Sequence, residues 1–237
     1  MKCGVSSVGA GDSIFCHLAR YFLYIPVINL HIFPLPFEII GQRKNKGEII
    51  LSFLFAKHIE QKFLFGSLTK TLRTELPADI ELVFLCIGID RSTGDCFGPM
   101  TGTLLSQMKV PNVVGTLEEP VHAKNLETVH KNINNKDTYI IAIDSSLGNL
   151  KNLGYITVKN GPLLPGYAMN RSLPPVGNMS ITLNVNINGI HNYLLLQNSS
   201  LNLVWKGANV LAKSIATALY MKKKHRLNTC ITKKTPS

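Results

Sequence analysis

The sequence predicts an α/β domain built on a mostly parallel sheet, and three observations point there. Two continuous apolar runs, Ile80–Ile87 (IELVFLCI) and Tyr139–Ile143 (YIIAI), read as strands buried on both faces, as in a sheet covered by helices. Helical spacing stands before, between and after them, so strand and helix alternate and right-handed crossovers follow. Finally, 45% of the 237 residues are hydrophobic and 16% charged, which supplies one core and excludes a wholly disordered chain.

In chain order, residues 1–47 form an extension without an assigned fold. Ser13–Ile40 is strongly apolar, but Pro26, Pro34, Pro36, His17, Arg20, Asn29 and His31 interrupt it. Its best run, Tyr21–Leu30, is shorter than the roughly 20 residues a spanning helix needs. The basic start is thin and no small-residue cleavage site follows, so neither a membrane anchor nor a signal peptide is expected. Gln42–Gly47 (QRKNKG) is a charged break, and the main domain is placed at 48–221. Ile49–Leu76 reads as one helix, with Phe53, Ala56, Ile59, Phe63, Leu64, Leu68 and Leu72 near helical spacing and Pro77 as its stop.

The strand Ile80–Ile87 runs into a Gly- and Asp-rich loop, Gly88–Pro99, then a helix from about Gly98 to Met108. Asn112–Leu117 is a short strand, and Val121–Asn134 a helix with Pro120 near its first turn. Tyr139–Ile143 is closed by Asp144, and Tyr155–Val158 offers a further strand. Gly161–Asn178 holds four Pro and three Gly and reads as a long loop, a common seat of function. Met179–Ile187 (MSITLNVNI) alternates strictly, which predicts a half-exposed strand. The last helix starts at about Leu194 or Leu201 and ends at Met221; residues 222–237 form a basic tail.

Charge is divided along the chain. Residues 1–144 hold all 14 acids and 14 of the 25 basic residues, so the whole excess of +11 lies in the last 93 residues. The cluster Lys222, Lys223, Lys224 and Arg226 reads as a solvated tail. No aromatic residue is interleaved for base stacking, and no nucleic-acid-binding motif is present. Five widely spaced cysteines without a CxxC pair fit neither a disulfide framework nor a zinc site, and a reducing, cytoplasmic compartment is expected.

Two carboxylates stand out by position. Asp95 lies in the loop after the first apolar strand, and Asp144 follows the third strand. In an open parallel sheet, ligands bind beyond the carboxyl ends of the strands, so these acids can face each other across one crevice. Close carboxylates resist joint ionisation; one then activates water while the other donates a proton. The competing reading is local capping of a loop or helix start. Ser92, Thr93 and Gly94, before a helix start, also resemble a phosphate cradle, but Walker and GxGxxG spacings are absent. Asp90 and Arg91 read as a local ion pair or as supporting residues. His122 is either a first-turn helix residue, a proton shuttle or a metal ligand. His191 reads as surface, and Cys86 as core.

Several segments resemble one family. Leu85–Met100 (LCIGIDRSTGDCFGPM) looks like the opening signature of the YyaC-type sporulation proteins, relatives of the germination (spore) protease. Thr116–Leu126 (TLEEPVHAKNL), Ile141–Gly148 (IAIDSSLG), Gly154–Gly166, Leu173–Asn178 (LPPVGN) and Leu194–Val204 (LLLQNSSLNLV) continue the resemblance, over roughly residues 80–220. Ile89 stands where the family usually has Thr, and the first 50 or so residues match nothing of it. The resemblance implies the three-layer α/β/α sandwich of germination protease and the hydrogenase maturation endopeptidases. It also implies catalysis by Asp95 and Asp144. Nickel-sensing acids of the maturation endopeptidases would fall near these two, but their late His has no match, so no metal or other cofactor is expected.

The expectation is therefore a sporulation-associated, aspartic-type endopeptidase. Asp90, Arg91, Ser92, Thr93, Gly94, His122, Pro175 and Gly177 would support the pair or bind substrate. The implied partner is a protein or peptide substrate, such as a small DNA-binding spore protein. The alternatives are a catalytically inactive peptide-binding or regulatory protein of the same fold, and a metal-assisted hydrolase using Asp95, Asp144 and His122.

Overall fold

A computed structural model describes residues 52–166 and 173–232, with side chains as far as Arg226 in the last helix. The extension 1–47, the middle of the Gly161–Asn178 loop and Lys233 and Lys234 lie outside the described residues.

Six strands form one sheet: β1 (Ser52–His58), β2 (Glu81–Cys86), β3 (Val113–Val114), β4 (Thr138–Gly148), β5 (Tyr155–Asn160) and β6 (Met179–Ile187). Their spatial order is β1-β5-β6-β4-β2-β3. β3, β2, β4 and β6 are parallel, and β5 alone runs against its neighbours. The helices are α1 (Leu64–Glu75), α2 (Phe97–Gln107), α3 (Leu126–Ile133), α4 (Asn192–Gln197) and α5 (Leu201–Thr232).

The central strands are apolar on both sides because both sheet faces are covered. On one face, Leu68 and Leu72 of α1, Phe97 and Leu105 of α2, and Val204, Leu211 and Ile215 of α5 pack on Phe84, Cys86, Ile141, Ile143 and Ile181. On the other, Leu126 of α3 joins Val121, Leu163 and Val176 over Val83, Leu85, Ile140 and Ala142. The result is the α/β/α arrangement, with a mostly parallel sheet, that the alternation of elements predicts. Burial of these side chains supplies most of the drive to fold, at roughly 25 cal/mol per Å² of apolar surface.

Several elements differ from expectation. Ile49–Leu76 is not one helix: among the described residues, Ser52–His58 is an edge strand antiparallel to β5, and the helix starts at Leu64. The apolar spacing that fits a helix is overridden by pairing with β5, where Lys159 Nζ sits 4.5 Å from the centre of the Phe53 ring. The intervening turn places Phe63 in the left-handed region at φ 62°. Pro77 still marks the stop, since α1 ends two residues earlier, at Glu75, with the Leu76 N–H bonded to Leu72.

The helix expected over Val121–Asn134 begins only at Leu126. Val121 instead forms a parallel bridge with Ile87, and its carbonyl accepts the Gly88 N–H. β6 is not half-exposed: Ser180 and Asn184, on the polar side of its alternation, are buried with the apolar side. Its place between β5 and β4 explains this. Finally, α5 runs on to Thr232, past the expected end at Met221. Lys222 Nζ donates to the carbonyls of Arg73 and Leu76, and Arg226 donates to the Ala78 carbonyl and the Asp79 carboxylate at 2.6 and 2.7 Å. Cations here satisfy carbonyls at the C-terminal end of α1, where the helix dipole favours them.

Candidate active site: two carboxylates where the pairing of β2 and β4 ends

β2 stops at Cys86, but the chain stays tied to the sheet for two more residues. The Ile87 N–H donates to the Ile143 carbonyl at 2.7 Å, and the Gly88 N–H to Val121 at 2.8 Å. Gly88 then turns at φ +143°, and a Cβ at this position would collide with the Asp95 carbonyl oxygen. Only glycine lets the two ends of the loop meet this closely. The Ile89 N–H donates to that same carbonyl, and the Gly94 N–H donates to Leu196 of α4. The loop thus folds back and delivers Asp95 to the end of the strand it left, two residues before α2.

Asp144 reaches the same place from β4. It does not end the strand, as expected, but lies inside it. β2 pairs with β4 only as far as Cys86 and Ile143, whereas β6 stays paired through Asp144 and beyond. Asp144 is therefore the first residue of β4 that has lost its β2 neighbour, where the crevice opens. β2 crosses to β3 on one side while β4 lies on the other, so this crevice is the switch point of the sheet.

A cleft of about 320 Å³ occupies this position. Asp95, Asp144, Arg91, Ser92 and His122 line it, with Ile87, Gly88 and Ile89. Burial pushes the Asp95 carboxyl up; the Ile89 amide, the Ser145 hydroxyl and the His122 ring oppose that rise. Asp144 is 8% exposed, and its carboxyl is held well above the usual carboxylate range, by burial first and the Asp95 charge second. The Ser145 N–H, 2.7 Å from Asp144 Oδ1, opposes this. Both shifts run upward, and the Asp95 charge adds to the rise at Asp144, as expected of two neighbouring carboxyls that resist joint ionisation.

The other residues singled out in the sequence fall into three groups. Arg91, Ser92 and His122 reach the cleft. The Ser92 hydroxyl is buried and has no hydrogen-bond partner within the described residues. Thr93 and Gly94 shape the loop: the Thr93 carbonyl accepts the Cys96 thiol, and Gly94 packs on Leu196 and Ser199. A phosphate cradle does not form here, because the Gly94 and Cys96 amides already donate to Leu196 and Ser92. Asp90 is exposed and outside the lining, and no ion pair joins it to Arg91. Pro175 and Gly177 also lie outside the lining. Gly177 abuts Ala142, and the neighbouring Asn178 pins β6 to β4 by exchanging hydrogen bonds with Ile140.

From the long loop, Pro165, Gly166 and Leu173 line the cleft instead. Among the described residues, no group of three or more His, Cys, Asp or Glu converges as a metal site. Burial raises both the Cys86 and Cys96 thiols, so neither is an activated nucleophile.

Sequence reasoning missed Ser145, Lys124, Tyr193 and Leu196. Ser145 directly follows Asp144, and that adjacency is a usable signal. Tyr193 and Leu196 come from α4, about 100 residues from Asp95; Leu196 falls in the family-like block Leu194–Val204, but nothing there points to the cleft.

Residues 56–214 match the family described as Protein of unknown function (DUF1256). The chain is 42% identical over 165 residues to "Uncharacterized protein YyaC" of Bacillus subtilis (strain 168), a match covering 68% of this chain and 77% of that protein. Among solved structures, it is similar to the [NiFe] hydrogenase maturation protease HycI from Thermococcus kodakarensis KOD1. That similarity has a TM-score of 0.42 and 16% identity, over 63% of this chain and 98% of the other. The family match spans β1 to α5 and includes both carboxylates and the cleft, and with the YyaC identity it shows that the chain belongs to the DUF1256, YyaC-type family.

Proposed function

We propose that this chain is a peptidase-like protein of sporulating cells, an endopeptidase in which Asp95 and Asp144 share one proton and cut a peptide bond in a spore protein. The observation that supports this reading is the pair itself: one carboxylate from the loop after β2 and one from within β4 meet in one cleft, with Asp144 driven toward its protonated form by burial and by Asp95. A water held between them attacks the peptide carbonyl carbon. Asp95 takes a proton from that water while Asp144 gives its proton to the carbonyl oxygen. The tetrahedral intermediate then collapses: the C–N bond breaks, the leaving nitrogen takes the proton held by Asp95, and the hydroxyl proton returns to Asp144. Peptide and water become an acid and an amine, and the pair is restored.

The lining beyond the acids suits a chain-like substrate. Leu173, Tyr193 and Leu196 offer apolar contact, and Arg91 and Lys124 offer cationic contact. The test is cleavage of spore proteins and generic peptides by the purified chain, beside Asp95→Asn and Asp144→Asn. Each substitution is expected to lower turnover by about 10²–10⁴-fold with folding intact. Full turnover in either variant contradicts the proposal. Specific binding of the same peptides without cleavage, in the unsubstituted chain, would favour a non-catalytic peptide-binding protein.

A further inference from the structure

His122 sits on a segment built with unusual care for a loop. The backbone N–H of His122 donates to Asn125 Oδ1 at 2.8 Å, and Asn125 Nδ2 donates to the Pro120 carbonyl at 3.1 Å. The His122 carbonyl accepts the N–H groups of Asn125 and Leu126. Val121, one residue earlier, is bridged to Ile87. The loop is thus fixed to β2 on one side and to the start of α3 on the other, and this delayed helix start brings the ring to the cleft.

The ring itself is fixed by one further contact. Its Nδ1 accepts the backbone N–H of Lys124 at 3.3 Å. A nitrogen that accepts a hydrogen bond carries no proton, so the ring proton resides on Nε2. His122 lines the cleft with Asp95 and Asp144, and its Nε2–H is the ring's polar group that its own loop does not engage. In this tautomer the Nδ1 lone pair is engaged by Lys124, and Nε2 has an N–H to give.

We propose that His122 is a catalytic residue of this site, a fixed Nε2–H donor to the carbonyl oxygen of the bound peptide, and neither a proton shuttle nor a metal ligand. The inference rests on the peptidase reading and deepens it. The hydrogen bond strengthens as negative charge grows on that oxygen, and a donor already held in place needs no reorganisation at that moment. The donor keeps its proton throughout, so the proton transfers remain those of Asp95 and Asp144. The charged groups that share the cleft with His122 are these two acids, Arg91 and Lys124.

Two readouts test this on the full chain. Long-range ¹H–¹⁵N spectra of the labelled protein at neutral pH are expected to show His122 protonated on Nε2 and bare on Nδ1. The opposite tautomer overturns the inference whatever the chain cleaves. In peptide cleavage, His122→Ala is expected to lower kcat/KM by about 10²–10³-fold, evenly across the active pH range. His122→Gln, which retains an N–H donor, is expected to recover about tenfold of that loss. Undiminished cleavage by His122→Ala, or a loss confined to one limb of the pH profile, overturns the inference. If the unsubstituted chain cleaves no peptide, the peptidase reading falls and the carbonyl role falls with it. The spectra would still report independently whether the ring is a donor.

Discussion

Burial of the Asp144 carboxyl costs the folded chain free energy whenever that group is ionised. Its pKa is raised on folding, so its contribution is favourable below the unfolded-state value of about 4 and is lost as pH rises through the folded-state value. Asp144→Asn is therefore expected to melt at a higher temperature than the unsubstituted chain at pH 7, with the gain shrinking as pH falls toward about 4, where both states hold the proton. The same substitution abolishes the proposed chemistry, so stability and activity move in opposite directions. Melting curves at both pH values check this; equal melting temperatures at pH 7 would count against an ionisation cost at Asp144. Gly88 is the second residue on which the site turns. A methyl group there meets the Asp95 carbonyl and sits on a backbone at φ +143°. Gly88→Ala is expected to cost more than about 1 kcal/mol by denaturant midpoint, and to displace Asp95 even where the chain still folds.

The start of α3 shows how an element can be legible in kind and misread in extent. Pro120 and the apolar spacing after it signal a helix, but Val121 is taken up by Ile87 and Asn125 ties the turn that follows. These are tertiary and side-chain events that propensity does not carry. The same holds for β1, whose aromatic residues fit helical spacing as well as an edge strand until β5 pairs with it. By contrast, β2 and β4 are readable because continuous apolar runs have few other uses in a domain of this size. The misread stretch at Val121–Asn125 is also where His122 reaches the cleft, and local rules are most often broken at such sites. Asn125→Ala is expected to cost about 1–2 kcal/mol, because it removes both side-chain bonds of the turn. It is also expected to lower peptide cleavage through loss of His122 placement. An activity unchanged in a variant so destabilised would separate the turn from the site.

At the scale of the molecule, the sheet order explains why two acids about 50 residues apart share a cleft. β2 and β4 are parallel neighbours, and each delivers an acid just beyond the point where their pairing ends. The positions of Asp95 and Asp144 were readable because each follows an apolar run of sequence, and ligands gather beyond such runs in a parallel sheet. Their environment was not, since burial of Asp144, the Ser145 contacts and the lining from α4 depend on segments distant in sequence. The most direct measurement is a ¹³C-carboxyl titration of Asp95 and Asp144 in the intact chain, repeated with Asp95→Asn. The expected result is that Asp144 titrates well above the usual value of about 4, and moves down when the Asp95 charge is removed. Two independent titrations in the ordinary carboxylate range, unmoved by that substitution, would contradict a shared proton and with it the proposed chemistry.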